Sequence, residues 1–241
     1  MRNVREIKLN ETRNYIHLMS GGLDSSYSLL KIAKENKKND PLTIIHPIFF
    51  DYGQFVAETE WDRIQKIIEY IRNFLKKPST IDDALEISLK SELFHWTDSD
   101  AFWGPKGKRT PEIENRNIVL VSVLTSYLIA CAKHQDINEA NFKISSGFKQ
   151  SEMDDCSEDF FNKYKELLSI YKPKMTFEFP ILKNWSRKRV INETKKLLGY
   201  GDETEFGKFY KLTVSCYWQT KDGEPCGGVC SKCEFLKTQK D

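Results

Sequence analysis

The chain lacks any apolar run near the ~20 residues that a membrane-crossing helix needs. Its longest apolar-rich stretch, residues 118–132, is interrupted by Ser122, Thr125 and Ser126. The opening residues (MRNVREIKLNETRN) contain no apolar signal core. A soluble, cytoplasmic protein with no membrane partner is therefore expected. An excess of charge of one sign is also missing: 37 Lys and Arg stand against 35 Asp and Glu. That near balance gives no strong electrostatic case for long nucleic acid and leaves only a local basic patch as an alternative. No internal repeat or low-complexity tract is visible, and no linker appears before about Gly199. The lysine-bearing phosphate loop GxxxxGK[ST] is absent, as is GxGxxG, so neither of those nucleotide-binding loops applies.

What remains is sufficient for a core. The 241 residues are 39% hydrophobic and 12% aromatic. That length suits one domain, or one domain with a small appendage. Residues 15–19 (YIHLM) form a short apolar run ending in a Gly-rich turn, the pattern of a buried strand. Residues 24–34 follow as a helix, with Tyr27, Leu30, Ile32 and Ala33 on its inner face. Residues 42–50 (LTIIHPIFF) are β-branched and aromatic, so a second strand is expected, with Pro47 ending it early or marking a bulge. Residues 57–75 place Ile64, Ile67, Ile68, Ile71 and Leu75 at helical spacing. Residues 117–134 make a second, more apolar helix. Strands at 142–146 and 175–179 and helices at 158–171 and 186–198 complete the pattern, the last ended by Gly199. Residues 98–114, rich in Gly, Pro and charge, read as a mobile flap.

Alternating strands and helices predict an α/β fold: a Rossmann-like parallel sheet with helices on both faces. Ligands in such sheets sit beyond the carboxyl ends of the strands. The turns at 20–26, 51–54 and 147–156 are the ones to watch. The first is Ser20-Gly21-Gly22-Leu23-Asp24-Ser25-Ser26. Two glycines let the backbone turn sharply and come close to a ligand. A helix start offers unpaired N–H groups and the positive end of a dipole, which suits an anion. Ser20, Ser25 and Ser26 add hydroxyls. The plainer reading is a strand-to-helix turn with Asp24 or Ser25 near the N-cap.

Cysteines are few and unevenly placed. Four of the six, Cys216, Cys226, Cys230 and Cys233, fall in the last 26 residues. Without a leader, such a cluster reads as metal ligation before disulfides. Four thiolates suit a closed tetrahedral zinc site with a structural role. An iron–sulfur cluster and free thiols are the other readings. Cys131 lies inside an apolar helix and is expected in the core. The domain division that follows is 1–199 for the α/β domain and 200–241 for a small C-terminal zinc-binding module packed on it.

A strand followed by Ser-Gly-Gly-x-Asp-Ser resembles the loop of the ATP-pyrophosphate-loop enzymes, which include GMP synthetase, NAD synthetase and tRNA-modifying ligases. The resemblance implies that residues 20–26 hold the β,γ-pyrophosphate of ATP while the α-phosphate is attacked. Asp24 is then an expected Mg²⁺ ligand. Asp24, Ser25 and Arg116 are the expected catalytic residues. Four further features lie in order: Asp51-Tyr52-Gly53-Gln54; Glu114-Asn115-Arg116-Asn117; Gly147 followed by Asp154-Asp155-Cys156 and Phe160; and Ser215-Cys216-Tyr217 with Cys226, Cys230 and Cys233. Together these resemble the 7-cyano-7-deazaguanine synthase family over nearly the whole chain.

In that family ATP adenylates the carboxylate of 7-carboxy-7-deazaguanine, ammonia displaces AMP, and a second activation and dehydration gives the nitrile. The resemblance implies ATP, Mg²⁺ and Zn²⁺ as cofactors and a homodimer. It places Phe50, Tyr52 and Gln54 near the nucleotide or the flat base. It sets Arg116 and Asn117 toward the substrate carboxylate or phosphates, and Gly147, Asp155 and Cys156 in the base pocket. Plainer roles stand beside these: Tyr52 as a strand-end aromatic, Asn115 as a helix cap, Asp154 and Asp155 as acidic residues before a helix. Arg187, Lys188 and Arg189 are candidates to meet phosphate, with at least one on a solvated face.

The chain also departs from the family pattern. The family's Tyr-Pro-Asp-Cys-Arg reads here Met153-Asp154-Asp155-Cys156-Ser157, so Ser157 replaces the pocket arginine. Glu152 stands where an early acidic residue is expected. The last cysteines are spaced C-x3-C-x2-C instead of C-x2-C-x2-C, and Glu234-Phe235-Leu236-Lys237 replaces the closing arginine motif. A protein-conjugating relative from anti-phage defence systems, passing the activated deazaguanine to a protein amine, is the alternative. A tRNA-thiolating ligase would want a basic extension and a persulfide cysteine. A non-enzymatic zinc-ribbon module would leave residues 20–26 without a purpose.

Overall fold

The computed structural model describes residues 6–9, 13–39, 42–54, 56–76, 80–89, 116–137, 140–147, 156–178, 185–199 and 203–214. The 98–114 segment, Asp155 and the four C-terminal cysteines lie outside these.

A six-residue buried strand, β1 (Asn14–Met19), sits at the centre of the sheet. Its neighbours are β2 (Ile44–Asp51) on one side and β4 (Asn141–Ser146) on the other. Beyond them lie β3 (Leu85–Ser88) and β5 (Lys174–Glu178). All pairings are parallel, in the order β3-β2-β1-β4-β5. The chain thus builds β1 to β3 in one direction and then returns to the far side of β1. The gap between the carboxyl ends of β1 and β4 is the switch point where such sheets take ligands.

Each strand sends alternate side chains to opposite faces. Tyr15, Met19, Ile45 and Phe49 share one core with helices α1 (Leu23–Asn39), α2 (Ala57–Leu75), α5 (Arg187–Leu198) and α6 (Glu203–Leu212). Ile16, Leu18, Ile48, Phe50, Phe142 and Ile144 share the other with α3 (Arg116–His134) and the end of α4 (Glu158–Leu168). Helices therefore cover both faces. The 57–75 helix forms over the expected span, burying the isoleucine stripe from Ile64 to Ile71. Contrary to the expectation from sequence, α3 is by length and composition long and apolar enough to cross a membrane, though much of it is buried against the protein. Leu120, Leu124 and Leu128 pack it onto the sheet.

Several expectations need correction. Pro47 does not end β2, which runs on to Asp51. The Ile45 carbonyl accepts from Asp82 N at 2.8 Å, so residues two apart, including Pro47, face the β3 side. There the ladder has a gap between the Ile45–Ile81 bridge and the Ile48–Leu85 pair, where a missing N–H is tolerated. The 186–198 helix is not the last. α6 follows and buries Phe209 completely in the first core. β3, with only four residues, is too short for its period to stand out in sequence. The helix at 158 stops at Leu168, leaving Ile170 and Tyr171 exposed.

Candidate functional site

β1 delivers its last residue to Ser20, and Gly21 makes the turn with φ of +67°. A side chain at Gly21 would press on the Glu60 carbonyl at 3.3 Å and on Val214 at 3.4 Å. The turn is pinned from within. Ser25 Oγ accepts from Ser20 N at 3.3 Å, lies 3.2 Å from Ser20 Oγ and donates to the Gly22 carbonyl at 3.1 Å. Ser26 Oγ donates to the same carbonyl at 2.8 Å and is fully buried. Ser26 therefore spends its hydroxyl on the loop, whereas Ser20 is exposed. From outside, Val214 N donates to the Gly21 carbonyl at 2.8 Å, docking the chain after α6 onto the turn.

Gly147 follows β4 and shows how closely the two strand ends approach. A Cβ built there would lie 2.3 Å from Ser25 N and 2.6 Å from the Asp24 carbonyl carbon. No side chain fits that gap. Gly147 backs the loop through its backbone, which explains the glycine without any special φ.

Asp24 opens α1 and is 27% exposed, with Arg187 Nη1 3.5 Å from its Oδ1. Arg187 starts α5, is 8% exposed and also stands 6.0 Å over the Tyr210 ring. Of the three basic residues at 187–189, Arg187 faces inward and Lys188 and Arg189 are exposed. Arg189 lies over the Trp185 ring at 4.2 Å.

The second wall grows from the end of β2. Asp51 Oδ1 accepts from Gly53 N at 3.0 Å, closing the turn. Gln54 Oε1 accepts from Tyr52 N at 2.9 Å, while its Nε2 donates to the Phe50 carbonyl at 3.1 Å and to Glu60 Oε2 at 2.9 Å. Gln54 thus braces the turn. Arg116, at the start of α3, donates from Nη1 to the Tyr52 hydroxyl at 3.3 Å, its Cζ lying 5.8 Å from the ring. Asn117, 2% exposed, donates from Nδ2 to Cys156 Sγ at 2.8 Å. That contact ties α3 to the turn before α4. Ser157, where an arginine was expected, caps α4 by accepting from Phe160 N at 3.0 Å.

These pieces enclose one cavity of about 230 Å³. Ser20, Gly22, Leu23, Asp24, Ser25, Phe50, Tyr52, Gln54, Arg116, Asn117 and Gly147 all line it. Gly21, Ser26 and Cys156 stand behind the lining. Leu23 and Phe50 also bury most of their bulk in the core, 1% and 5% exposed. The structure adds Glu60, Ser146, Arg187 and Val214 to the lining. Only Arg187 carried a sequence signal, as a basic residue at a helix start. Behind the loop lies His17, which a polar residue inside the apolar run YIHLM could have revealed.

A parallel sheet with a glycine turn, a helix start and a cavity at its switch point defines an α/β protein whose cavity lies where such sheets take ligands. The model described as Queuosine biosynthesis protein QueC matches residues 14–239, and the chain belongs to that family. A 7-cyano-7-deazaguanine synthase from Legionella pneumophila (strain Corby) is 29% identical over 231 residues, covering 91% of this chain and 89% of that protein. One from Hydrogenovibrio crunogenus is 22% identical over 245 residues, covering 94% and 90%. Such relatives support an enzyme of this type. The solved U34-tRNA thiolase NcsA from Methanococcus maripaludis, with its 4Fe–4S cluster, covers 99% of this chain and is covered to 83%, at 13% identity and a TM-score of 0.41. That likeness is too slight to bear on fold or ligand.

Proposed function

We propose that the chain uses ATP to adenylate the carboxylate of 7-carboxy-7-deazaguanine and then passes it to a nitrogen nucleophile. One observation carries the reading: a single cavity joins the residue 20–26 loop to Tyr52, Arg116 and Asn117. The activation has a simple chemical reason, because a carboxylate would otherwise have to expel oxide. A substrate carboxylate oxygen attacks the α-phosphorus. The bond from that phosphorus to the bridging oxygen breaks, and pyrophosphate leaves. The nitrogen nucleophile then displaces AMP.

This chain's own groups have separable tasks in that scheme. Backbone N–H groups at the start of α1 and the Ser20 hydroxyl receive the pyrophosphate. Arg187 meets phosphate from the far side. Arg116 offers paired donors to a carboxylate or phosphate. Tyr52 presents a flat face to a ring. Asp24 is the proposed Mg²⁺ ligand. A carboxylate beside a phosphate site suits a divalent cation of this kind. When bound, Mg²⁺ offsets the negative charge on the departing pyrophosphate. The four thiolates of Cys216, Cys226, Cys230 and Cys233 are a donor set for structural zinc, which metal analysis of the purified protein tests. A homodimer is part of the same proposal.

The use of Ser157 as a helix cap favours a second reading. No arginine stands there to read the base or the acceptor, which suits a relative that hands the activated group to a protein amine. The test is mass analysis after incubation with ATP, Mg²⁺ and carboxy-deazaguanine, with and without ammonium. AMP and an amide or nitrile are expected with ammonium. AMP with no ammonium-dependent product would favour the protein acceptor. Absence of AMP in every arm would sink both. In the same assay Asp24→Ala should cut AMP formation by about 100-fold or more while the protein stays folded.

A further inference from the structure

His17 is a polar residue in the middle of the central strand, with none of its surface exposed. Both ring nitrogens are engaged. Nε2 lies 2.8 Å from the Ser25 carbonyl oxygen, and Nδ1 lies 2.6 Å from Ser145 Oγ. A carbonyl only accepts, so Nε2 carries the proton and donates to Ser25. Nδ1 is then the acceptor of the Ser145 hydroxyl proton. Ser145, also fully buried, stands on β4 two residues before Gly147. A directed chain therefore runs from the Ser145 hydroxyl through the imidazole to the Ser25 carbonyl. It joins β4, β1 and the first turn of α1.

Ser25 is the residue that Gly147 approaches most closely, and its hydroxyl holds Ser20. Its peptide is thus gripped at the nitrogen by the β4 end, at the hydroxyl by Ser20 and Gly22, and at the carbonyl by His17. We propose that His17, set by Ser145, is a positioning residue that fixes the first turn of α1 so that its N–H groups and Ser20 stand ready for phosphate. This rests on the ATP reading above. The physical gain is preorganisation: donors already aimed at an anion need no rearrangement when it arrives. The ring does its work uncharged, since burial lowers its pKa from 6.5 to about 4.

The test measures binding of a non-hydrolysable ATP analogue with Mg²⁺ by calorimetry, alongside KM for ATP and for the carboxylate substrate. The variants are His17→Leu, His17→Gln and Ser145→Ala, each checked for fold by circular dichroism. His17→Leu removes the donor and leaves the shape, so affinity for the analogue should fall about tenfold. KM for ATP should rise while KM for the carboxylate stays put. His17→Gln, which keeps an amide N–H, should recover most of the loss. Ser145→Ala should show a smaller shift of the same kind. A folded His17→Leu that binds the analogue like the wild type would overturn the proposal, as would equal losses in the Leu and Gln variants. If His17→Leu does not fold, His17→Gln and Ser145→Ala decide: an ATP-selective loss in Ser145→Ala with Gln near wild type supports it, and no loss in Ser145→Ala overturns it. A wild-type protein that binds no analogue would take down the ATP reading and this inference together. Wild-type binding with an unaffected His17→Leu would take down this inference alone.

Discussion

The floor and the wall of the cavity are built differently. The floor, residues 20–26, is held by contacts to backbone atoms: Gly147 against Ser25 N, Val214 N on the Gly21 carbonyl, His17 on the Ser25 carbonyl. On the wall, the links of α3 to its neighbours run from side chain to side chain: Arg116 to Tyr52 and Asn117 to Cys156. The Gly147 contact admits little change of residue, because any substitution there adds bulk against backbone. Side-chain contacts can be rewritten one residue at a time. Activation of the carboxylate belongs to the floor in our proposal, and choice of acceptor to the wall. On that view a family can alter what receives the activated group while its nucleotide loop stays constant.

The sharpest way to break this contrast is Gly147→Ala. Its methyl group has backbone, not flexible side chain, 2.3 Å away. The start of α1 must move or the protein must fail to fold. Where folded protein is recovered, AMP formation should drop about a hundredfold, as expected when a reacting geometry shifts by ~1 Å. Near-normal turnover would show that the floor gives more easily than its contacts suggest.

A middle-sized effect concerns acid stability. His17 has a folded pKa of about 4 against an ordinary value of 6.5. Above the ordinary value the ring is neutral in both states and its full contribution is present. As pH falls from 6.5 toward about 4, the unfolded chain takes up a proton that the folded protein refuses, and stability is lost. The whole window amounts to roughly 3 kcal/mol. Urea unfolding at neutral and acid pH, on the wild type and on His17→Gln, checks this. The variant should lose less stability on acidification; equal losses would detach His17 from the acid limb.

The smallest expected effect sharpens the wall. Ser157→Ala removes the cap of α4 and should cost about 1 kcal/mol in thermal or urea unfolding. AMP formation should be unchanged. Lost turnover at unchanged stability would move Ser157 from capping into the pocket.

Much of this was legible in sequence because it is local. The isoleucine stripe of α2 announces its own helix, and glycines at 21 and 22 after an apolar run announce a sharp turn into a helix. Arg116 and Asn117 were visible as polar residues opening an apolar helix. Other parts were hidden because their partners are remote. Nothing near Gly147 in sequence indicates that its hydrogen occupies the space against Ser25. Gln54 lines the cavity as its place after β2 suggested, but the bonds by which its side chain closes the β2 turn and meets Glu60 had no local signal. α6 was missed: ten residues with Gly207 among them give a weak period, and only packing of Phe209 beside α2 and α5 secures it.

The amino-acid sequence by itself determined the alternation of strands and helices, the glycine turn at residues 20–26 and the family resemblance. These depend on periodicity, glycine freedom and helix-end charge, which act within a few residues. The tertiary structure alone decided what surrounds that turn: His17 and Ser145 beneath it, Gly147 against it, Arg187 beside Asp24 and Val214 above Gly21. Those five neighbours come from four separate stretches of chain. The order of strands in the sheet brings them together, and strand order is settled by long-range packing that no local pattern encodes.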